Sequence, residues 1–313
     1  MDLKHSMFVN SLQALELNNM NNIKNEASLF SKKRKEKLRK SSLKQVFQSG
    51  YNVIVSKRRF HKAKPYNSYE LGPNRTLEEF ENDLICDSKF YQKKIAIYTC
   101  IVGGYDKLNE PTIINENIDY FVFTDHSISS ETWVEKSIPK KVLEFNNNTL
   151  INRYLKFHPK ELFPEYDYVG YVDGNVQVIS DVTPLFKYTQ NRTGFAFHSH
   201  SLRNSIYDEI EVLKIFKRGV PTKLDQQVEK YRKEGFPQNY GLPEATIILS
   251  DLSNIHLVDL FEQWWQEFLD SESFRDQISL PYVLWKNNIR VKEVALLGNN
   301  LRYSSKFKVA IHK

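Results

Sequence analysis

Cysteine is nearly missing from this chain: Cys86 and Cys100 are the only two in 313 residues. Two thiols build no disulfide framework and no zinc site of their own, which points to a reducing compartment. Long apolar runs are missing as well. No stretch approaches the ~18 residues needed to span a bilayer. The opening Met1-Asp2-Leu3-Lys4-His5 has none of the apolar core of a secretory signal. A cytoplasmic protein is expected, peripheral at the inner face of the membrane at most. Glycine is scarce, at 11 residues, and neither the G-x-G-x-x-G spacing nor the P-loop spacing occurs. A dinucleotide fingerprint and a Walker-type phosphate loop are therefore excluded. No internal repeat is visible.

Acidic residues are absent from one region in particular. Between Phe30 and Lys64, 13 Lys/Arg face a single acid, Glu36. That segment carries +12 of a chain whose net charge is +6, so the remainder carries −6. Residues 1–92 read as a basic, Asn/Lys-rich, partly helical extension. Leu43, Val46 and Phe47 form a short apolar stripe, and Thr76-Leu77-Glu78-Glu79 forms a helix start. A basic run of this kind suits an anionic membrane surface or an acidic protein partner. No nucleic-acid partner is expected, because nothing in the remaining body supports one.

From Lys93 onward the chain is patterned. Ile95–Val102, Tyr120–Asp125, Tyr168–Val172, Gly194–Phe197 and Ala245–Leu249 are short apolar runs bounded by turns, as interior strands of a largely parallel sheet are. Helical segments lie between them. Ile206, Ile210, Leu213 and Phe216 fall on one helix face. Leu257, Leu260, Phe261, Trp264, Trp265 and Phe268 form a broad apolar stripe after a cap at Ser253 or Asn254. Strands alternating with helices predict an α/β fold of the doubly wound type over residues 93–313.

The most informative stretch is Tyr168 to Val176, where a buried strand ends in Asp173-Gly174-Asn175. In an open α/β sheet, ligands sit at the C-terminal strand edge. A carboxylate and an amide oxygen there suit Mn²⁺ or Mg²⁺, and such an ion suits a diphosphate. A plain turn is the competing reading, since Asp, Gly and Asn are turn residues. Gly103-Gly104 after the first strand lets backbone approach a ligand, with Tyr105 able to stack on a base, or makes a tight turn. Asp125 ends the second strand and could hold a ribose or cap a helix. Arg153 and Lys156, three apart, share a helix face and could meet phosphate oxygens or face solvent. His198 and His200 alternate at a strand end and could reach one ion, but no Asp-His partner comes after them, so a dinuclear hydrolase is a poor fit. Arg275-Asp276-Gln277 could hold a sugar, with Trp264 or Trp265 as a stacking face, or could simply start a helix.

Together these residues resemble the TOD/MUCI glycosyltransferase-like domain family. The features stand in order: Tyr-Thr-Cys-Ile-Val-Gly-Gly-Tyr-Asp, Phe-Val-Phe-Thr-Asp, Asn-Arg-Tyr-Leu-Lys with His-Pro, and Tyr-Val-Asp-Gly-Asn. Then come His200 with Arg203 and Tyr207-Asp208-Glu209, Gly241-Leu242-Pro243-Glu244, Trp264-Trp265 and Arg275-Asp276-Gln277-Ile278-Ser279. The resemblance implies a GT-A-like fold with one mostly parallel sheet flanked by helices. It implies a metal-dependent glycosyltransferase using a nucleotide-sugar donor and a glycan or lipid-linked acceptor, in surface polysaccharide or capsule synthesis. A non-catalytic glycan- or nucleotide-binding module on the same fold is the alternative. Carried onto this sequence, Tyr105, Asp106 and Asp125 would hold the nucleotide, and Arg153 and Lys156 the diphosphate. Asp173 and Asn175 would be a variant Asp-x-Asp metal motif; apart from the resemblance, His312 near the C-terminus is a candidate third metal ligand or an idle terminal histidine. His200, Arg203, Glu209, Glu244, Asp276 and Gln277 would line the sugar and acceptor side, and Arg275 would help bind the nucleotide-sugar. Glu244, Asp276 and Gln277 would be the catalytic candidates.

Overall fold

The computed structural model describes residues 86–310 except 217, together with residues 10, 11, 14, 15 and 17. The basic segment 30–64, the apolar stripe at Leu43 to Phe47, the helix start at Thr76 and the expected ligand His312 lie outside the described residues.

Among the described residues there are eight strands: β1 (Ile95–Ile101), β2 (Ile118–Thr124), β3 (Val134–Lys136), β4 (Tyr168–Val172), β5 (Val176–Val178), β6 (Phe195–Ser199), β7 (Pro243–Asp251) and β8 (Phe307–Val309). Six of them form one sheet in the order β3-β2-β1-β4-β7-β6. Strands β3, β2, β1 and β4 are mutually parallel, whereas β7 runs antiparallel to both of its neighbours, β4 and β6. Only β7 therefore opposes the common direction. This single, mostly parallel α/β sheet flanked by helices is the arrangement expected of a GT-A-like chain. The five expected strands are all found. The sixth, β3, has only three residues and little apolar content, so its sequence carries no strand signal.

All seven residues of β1 are buried, as a central strand covered on both faces requires. Its side chains alternate between two cores. Ala96, Tyr98 and Cys100 join a cluster with Leu155, Phe157, Phe261 and Trp264. Ile95 and Ile97 join a second cluster with Val178, Phe186 and Phe307.

The helices are α1 (Lys140–Leu143), α2 (Asn148–Phe157), α3 (Pro159–Leu162), α4 (Ile206–Ile215), α5 (Pro221–Lys233), α6 (Leu257–Ser271) and α7 (Asp276–Lys286). Asn147 starts α2 by accepting the N–H groups of Thr149 and Leu150 at 2.9 and 3.2 Å, a side-chain cap of the usual kind. All six residues expected on the apolar stripe of α6 are buried. Each contributes about 1.5–3 kcal/mol by burial.

Three sequence expectations do not hold. The N-cap of α6 is His256, without a side-chain cap, and Asn254 instead accepts the His256 N–H at 2.9 Å. Phe216 lies past the end of α4 and is 62% exposed, while Ile206, Ile210 and Leu213 are buried. Trp264 and Trp265 are core residues, and the Trp264 indole donates to the Asp276 carbonyl at 3.0 Å. Neither tryptophan can stack on a sugar.

A small second sheet has consequences for the site. Strand β5 pairs antiparallel with β8, matching Val176 with Val309 and Val178 with Phe307. Residues 307–309 are thereby tied directly after Asp173-Gly174-Asn175.

Candidate active site

The C-terminal ends of β1 and β4 open into a cavity of about 650 Å³. Its floor is built from Cys100 to Val102, Asp173, Gly174 and the first residues of β7, Glu244 to Thr246. Its walls come from α2, the start of α7 and the loop after α4. Because β7 is reversed, its beginning lies at the C-terminal end of β4, and Asp173 N donates to the Thr246 carbonyl at 2.9 Å.

Asp173-Gly174-Asn175 is a tight turn, closed by Val176 N donating to the Asp173 carbonyl at 2.9 Å. It is also more than a turn. A β-carbon at Gly174 would stand 2.8 Å from Ile101 Cγ1 and 3.1 Å from Asp106 Oδ2. Glycine is needed because the buried Asp106 packs against this backbone. The Tyr171 hydroxyl donates to Asp173 Oδ1 at 3.0 Å. The Asp173 side chain is 30% exposed and faces the cavity.

Asn175 is buried, and its Nδ2 donates to the Ala310 carbonyl at 2.8 Å. A carbonyl partner demands a donor, which fixes the amide orientation. Oδ1 is then the only atom of Asn175 left to meet an ion. Asn175 does not line the cavity itself.

Behind the floor lies a buried charge cluster. Lys156, 2% exposed, places Nζ 2.7 Å from Asp276 Oδ2 and 4.0 Å from Asp173 Oδ1. Arg153 Nε approaches the same Asp276 oxygen at 3.1 Å. Arg153 also donates to Asn152 Oδ1, while Asn152 Nδ2 donates to the Cys100 carbonyl at 3.2 Å. Burial pulls the Asp276 pKa up, but Arg153 and Lys156 outweigh it and hold the carboxyl well below its ordinary range. Neighbouring Gln277 donates to the Pro243 carbonyl at 2.7 Å.

Glu244 has the opposite character. Burial raises its pKa. Thr246, which donates to it at 2.9 Å, lowers it, and the nearby Glu209 and Asp173 raise it further. Next to it, His200 Nδ1 accepts the N–H groups of Leu202 and Arg203 at 3.2 and 3.1 Å. Its Nε2 stands 3.1 Å from the Arg203 guanidinium and 3.9 Å from Glu244. Burial, then Arg203 and Arg302, push the His200 pKa down to about 3. Arg203 pairs with Glu209, whose pKa burial raises despite that partner. A guanidinium beside one ring nitrogen, with two N–H groups on the other, leaves no lone pair for a shared ion with His198. Among the described residues, no group of three or more His, Cys, Asp or Glu could hold a metal ion.

Of the candidate residues, the fold brings Tyr105, Asp106, Arg153, Lys156 and Asp173 to the cavity, and also Glu244, Arg275, Asp276 and Gln277. His200, Arg203 and Glu209 form a buried polar layer beside it. Asp125 stands behind the rim, where its Oδ2 accepts the Gly103 N–H at 2.8 Å and its Oδ1 meets His126. This braces the glycine loop, in which Gly103 and Gly104 both have positive φ. Sequence reasoning missed Asn152, Thr246 and Arg218. The first two carry signals: Asn152 precedes Arg153 within one motif, and Thr246 shares a strand face with Glu244. Arg218, in a short loop before Pro221, carries none.

A family model described as TOD1/MUCI70, glycosyltransferase-like domain, matches residues 30–308. The chain belongs to this family. No curated protein matches the chain. Among solved structures, the TOD1/MUCI70 chain is similar to the bifunctional glycosyltransferase WbbM without ligand, at 13% identity and TM-score 0.38. That match covers 61% of this chain and 37% of WbbM, so the chain spans well under half of WbbM's length. It is similar to the galactosyltransferase LgtC in complex with donor and acceptor sugar analogues, at 14% identity and TM-score 0.36, covering 59% of this chain and 69% of LgtC. It is also similar to mouse xyloside xylosyltransferase 1, at 9% identity and TM-score 0.38, covering 62% and 82%. Likenesses this distant place no residue role on the TOD1/MUCI70 chain. No helix among its described residues is long and apolar enough to cross a membrane.

Proposed function

We propose that this protein transfers a sugar from a nucleotide-sugar donor to a hydroxyl of a glycan or lipid-linked acceptor, in surface polysaccharide synthesis. In this reading residues 93–313 carry the chemistry and residues 1–92 are an extension. One observation carries it: Asp173, at a strand's C-terminal edge, shares a cavity of about 650 Å³ with the α2 cation Arg153 and the partly buried carboxylate Glu244. That volume suits a nucleotide-sized ligand. Membership of a glycosyltransferase-like family supports the same reading.

The residues fit Mn²⁺ or Mg²⁺ in kind, because Asp173 and the remaining Oδ1 of Asn175 are hard oxygen ligands. Asp173 would hold the ion from the cavity, and the buried Asn175 would join it only through Oδ1. Bound there, it would supply Lewis-acid neutralisation of the leaving diphosphate. The chain's own contributions derive from its charges. Arg153 offsets negative charge on the diphosphate. Lys156, buried, holds Asp276 in place. Glu244, with its raised pKa, accepts the proton of the acceptor hydroxyl. The acceptor oxygen then bonds to the anomeric carbon, and the bond to the diphosphate breaks with its electron pair leaving on the diphosphate. Asp276 is the weaker base, because Arg153 and Lys156 lower its proton affinity and occupy its Oδ2. Assigning the base to Glu244 entails inversion at the anomeric carbon.

Calorimetry of the full chain with UDP, GDP and CDP, with and without Mn²⁺, tests the reading. Metal-dependent binding of one diphosphate is expected. Sugar binding without any nucleotide effect would instead support a non-catalytic binding module. Asp173→Ala should abolish metal-dependent donor hydrolysis, and unchanged turnover would remove its metal role. Glu244→Gln should lower kcat by about 10²–10⁴ with nucleotide affinity retained. A product of retained configuration would refute the base assignment. The basic segment 30–64 is proposed to hold the protein at an anionic leaflet, at ~1 kcal/mol per nearby Lys/Arg. Equal vesicle co-sedimentation with and without residues 1–64 would refute that.

A further inference from the structure

The far wall of the cavity carries two guanidinium groups, on which Glu209 acts from a distance. Arg275 is the N-cap of α7, partly buried, and lines the cavity. Arg218 lies on the loop between α4 and α5 and lines the same wall. Among the described residues, neither guanidinium makes a hydrogen bond or an ion pair within the protein. The loop is held in place: Arg218 N donates to the Leu213 carbonyl at 2.8 Å. Gly219 lies over the Arg275 stem, whose Cγ would stand 3.3 Å from a β-carbon there.

The neighbouring carboxylates are already engaged. Glu209 pairs with Arg203. Asp276 pairs with Lys156 and Arg153. Glu244 accepts from Thr246 and faces His200. Arg218 is exposed, but Arg275 is partly withdrawn from water, and a guanidinium withdrawn without a close counter-ion is costly. The cost is visible in Arg275, whose pKa burial lowers, with Arg153 and Arg218 adding to the effect and Asp276 and Glu209 opposing it. A chain retains such a charge where a ligand supplies the missing anion.

The position of the pair says which ligand. The glycine loop after β1 and Asp173 after β4 lie at the strand edge, where the glycosyl-transfer reading puts the nucleotide and its diphosphate. Arg153 stands next, coupled to Asp173 and to Asp276. Arg275 and Arg218 come after it, on the loop and helix start of the opposite wall. They are therefore beyond the diphosphate, where the acceptor enters. We infer that Arg218 and Arg275 form an oxyanion subsite for the acceptor, so that the favoured acceptor carries a phosphate or a uronate carboxylate. This rests on the glycosyl-transfer reading and deepens it. Both groups match a guanidinium's paired N–H donors.

The test uses the full chain saturated with Mn²⁺ and whichever of UDP, GDP or CDP binds, at low ionic strength. Ligand-observed NMR titrations monitor glucose 1-phosphate, glucuronate and neutral glucose. One or both anionic sugars should bind and glucose should not, and which of them binds separates phosphate from carboxylate. Arg218→Gln should weaken that binding about tenfold, the loss of one charge-assisted hydrogen bond. An unchanged thermal midpoint checks that the variant is folded. Equal anion binding by wild type and Arg218→Gln overturns the inference, as does no anion binding at all. Displacement of the anionic sugar by the nucleoside diphosphate also overturns it, because the pair then serves the donor. Absence of nucleoside diphosphate binding to the wild type, read in its own titration, overturns the glycosyl-transfer reading and the acceptor assignment with it.

Discussion

The buried cluster at the back of the cavity sets a demanding stability prediction. Lys156 Nζ is 2.7 Å from Asp276 Oδ2, and Arg153 Nε is 3.1 Å from the same atom. At an effective dielectric of 20, unit charges 2.7 Å apart attract by about 6 kcal/mol. Desolvating each ion costs several kcal/mol, so the intact cluster is near break-even while half of it is expensive. Asp276→Asn leaves the Lys156 ammonium buried, with only Asp173 at 4.0 Å, and should cost about 3–5 kcal/mol. Lys156→Met keeps the stem's volume and leaves Asp276 with Arg153, so it should cost less. The double variant removes both buried charges and should be more stable than Asp276→Asn alone. A coupling energy of about 2 kcal/mol or more is expected from urea unfolding of the four proteins at pH 7 with a common m-value. Additivity within about 0.5 kcal/mol would refute the coupling. The pH dependence has a defined sign. Arg153 and Lys156 depress the Asp276 pKa in the folded state, outweighing burial. The stability it contributes is complete above the unfolded value, about 3.9, and is lost as pH falls below that toward the folded value. Asp276→Asn should lose this acid limb.

Two further outcomes concern other parts of the site. His200 is held near pKa 3, so the unfolded chain takes up its proton first as pH falls below about 6.5, and the folded state loses stability between there and pH 3. The stability difference between wild type and His200→Gln should therefore rise with pH across that window, and a flat difference would contradict a buried neutral imidazole. Gly103→Ala places a β-carbon 2.2 Å from Asn148 Nδ2 at a φ of +65°. It should cost about 1–2 kcal/mol, read as a lowered Tm, and an unchanged Tm would show that the loop does not hold this conformation.

Most of the sheet was legible in the sequence because its strands are buried on both faces and read as continuous apolar runs. Strand β3 was not, since Val134-Glu135-Lys136 gains its state from pairing with Phe121 to Phe123 rather than from its own residues. The apolar stripe of α6 was legible for the same reason as the strands. The same pattern misled at Trp264 and Trp265, because an aromatic that fills a core and one that stacks on a sugar look alike in sequence. Of the residues that reach the cavity, Tyr105, Asp106 and Asp173 were legible because they come after strand ends, and Arg153, Lys156, Glu244 and Arg275 to Gln277 because they stand in the family's motifs. Their pairings were not. Nothing in the spacing shows that Lys156, 120 residues before Asp276, is sealed against it, or that the Asn175 amide is occupied by Ala310. Such contacts depend on how α2 packs on α6, which carries α7 against it, and how β8 returns to β5.

The reversed strand β7 explains why two carboxylates of different character meet here. In a wholly parallel sheet, each strand brings its last residues to the ligand edge and its first residues to the opposite one. Strand β7 pairs Val172 with Ile247 in the antiparallel sense, so its first residues, Pro243 to Thr246, arrive where β4 ends. Glu244 thus reaches the cavity with Thr246 donating to its carboxylate, while Gln277 fastens the start of α7 to the Pro243 carbonyl. The same fastening holds Asp276 against Lys156 and Arg153. One carboxylate is consequently surrounded by cations and kept ionised. The other is partly buried, and burial, then the negative charges of Glu209 and Asp173, favour its protonated form. Environments that push two carboxyl pKa values apart are how a site separates a proton-accepting role from an electrostatic one. A variant that loosens β7 without touching either acid, such as Gln277→Ala, should therefore impair transfer more than nucleotide binding. Equal loss of both would mean that the two carboxylates do not depend on this strand for their separate roles.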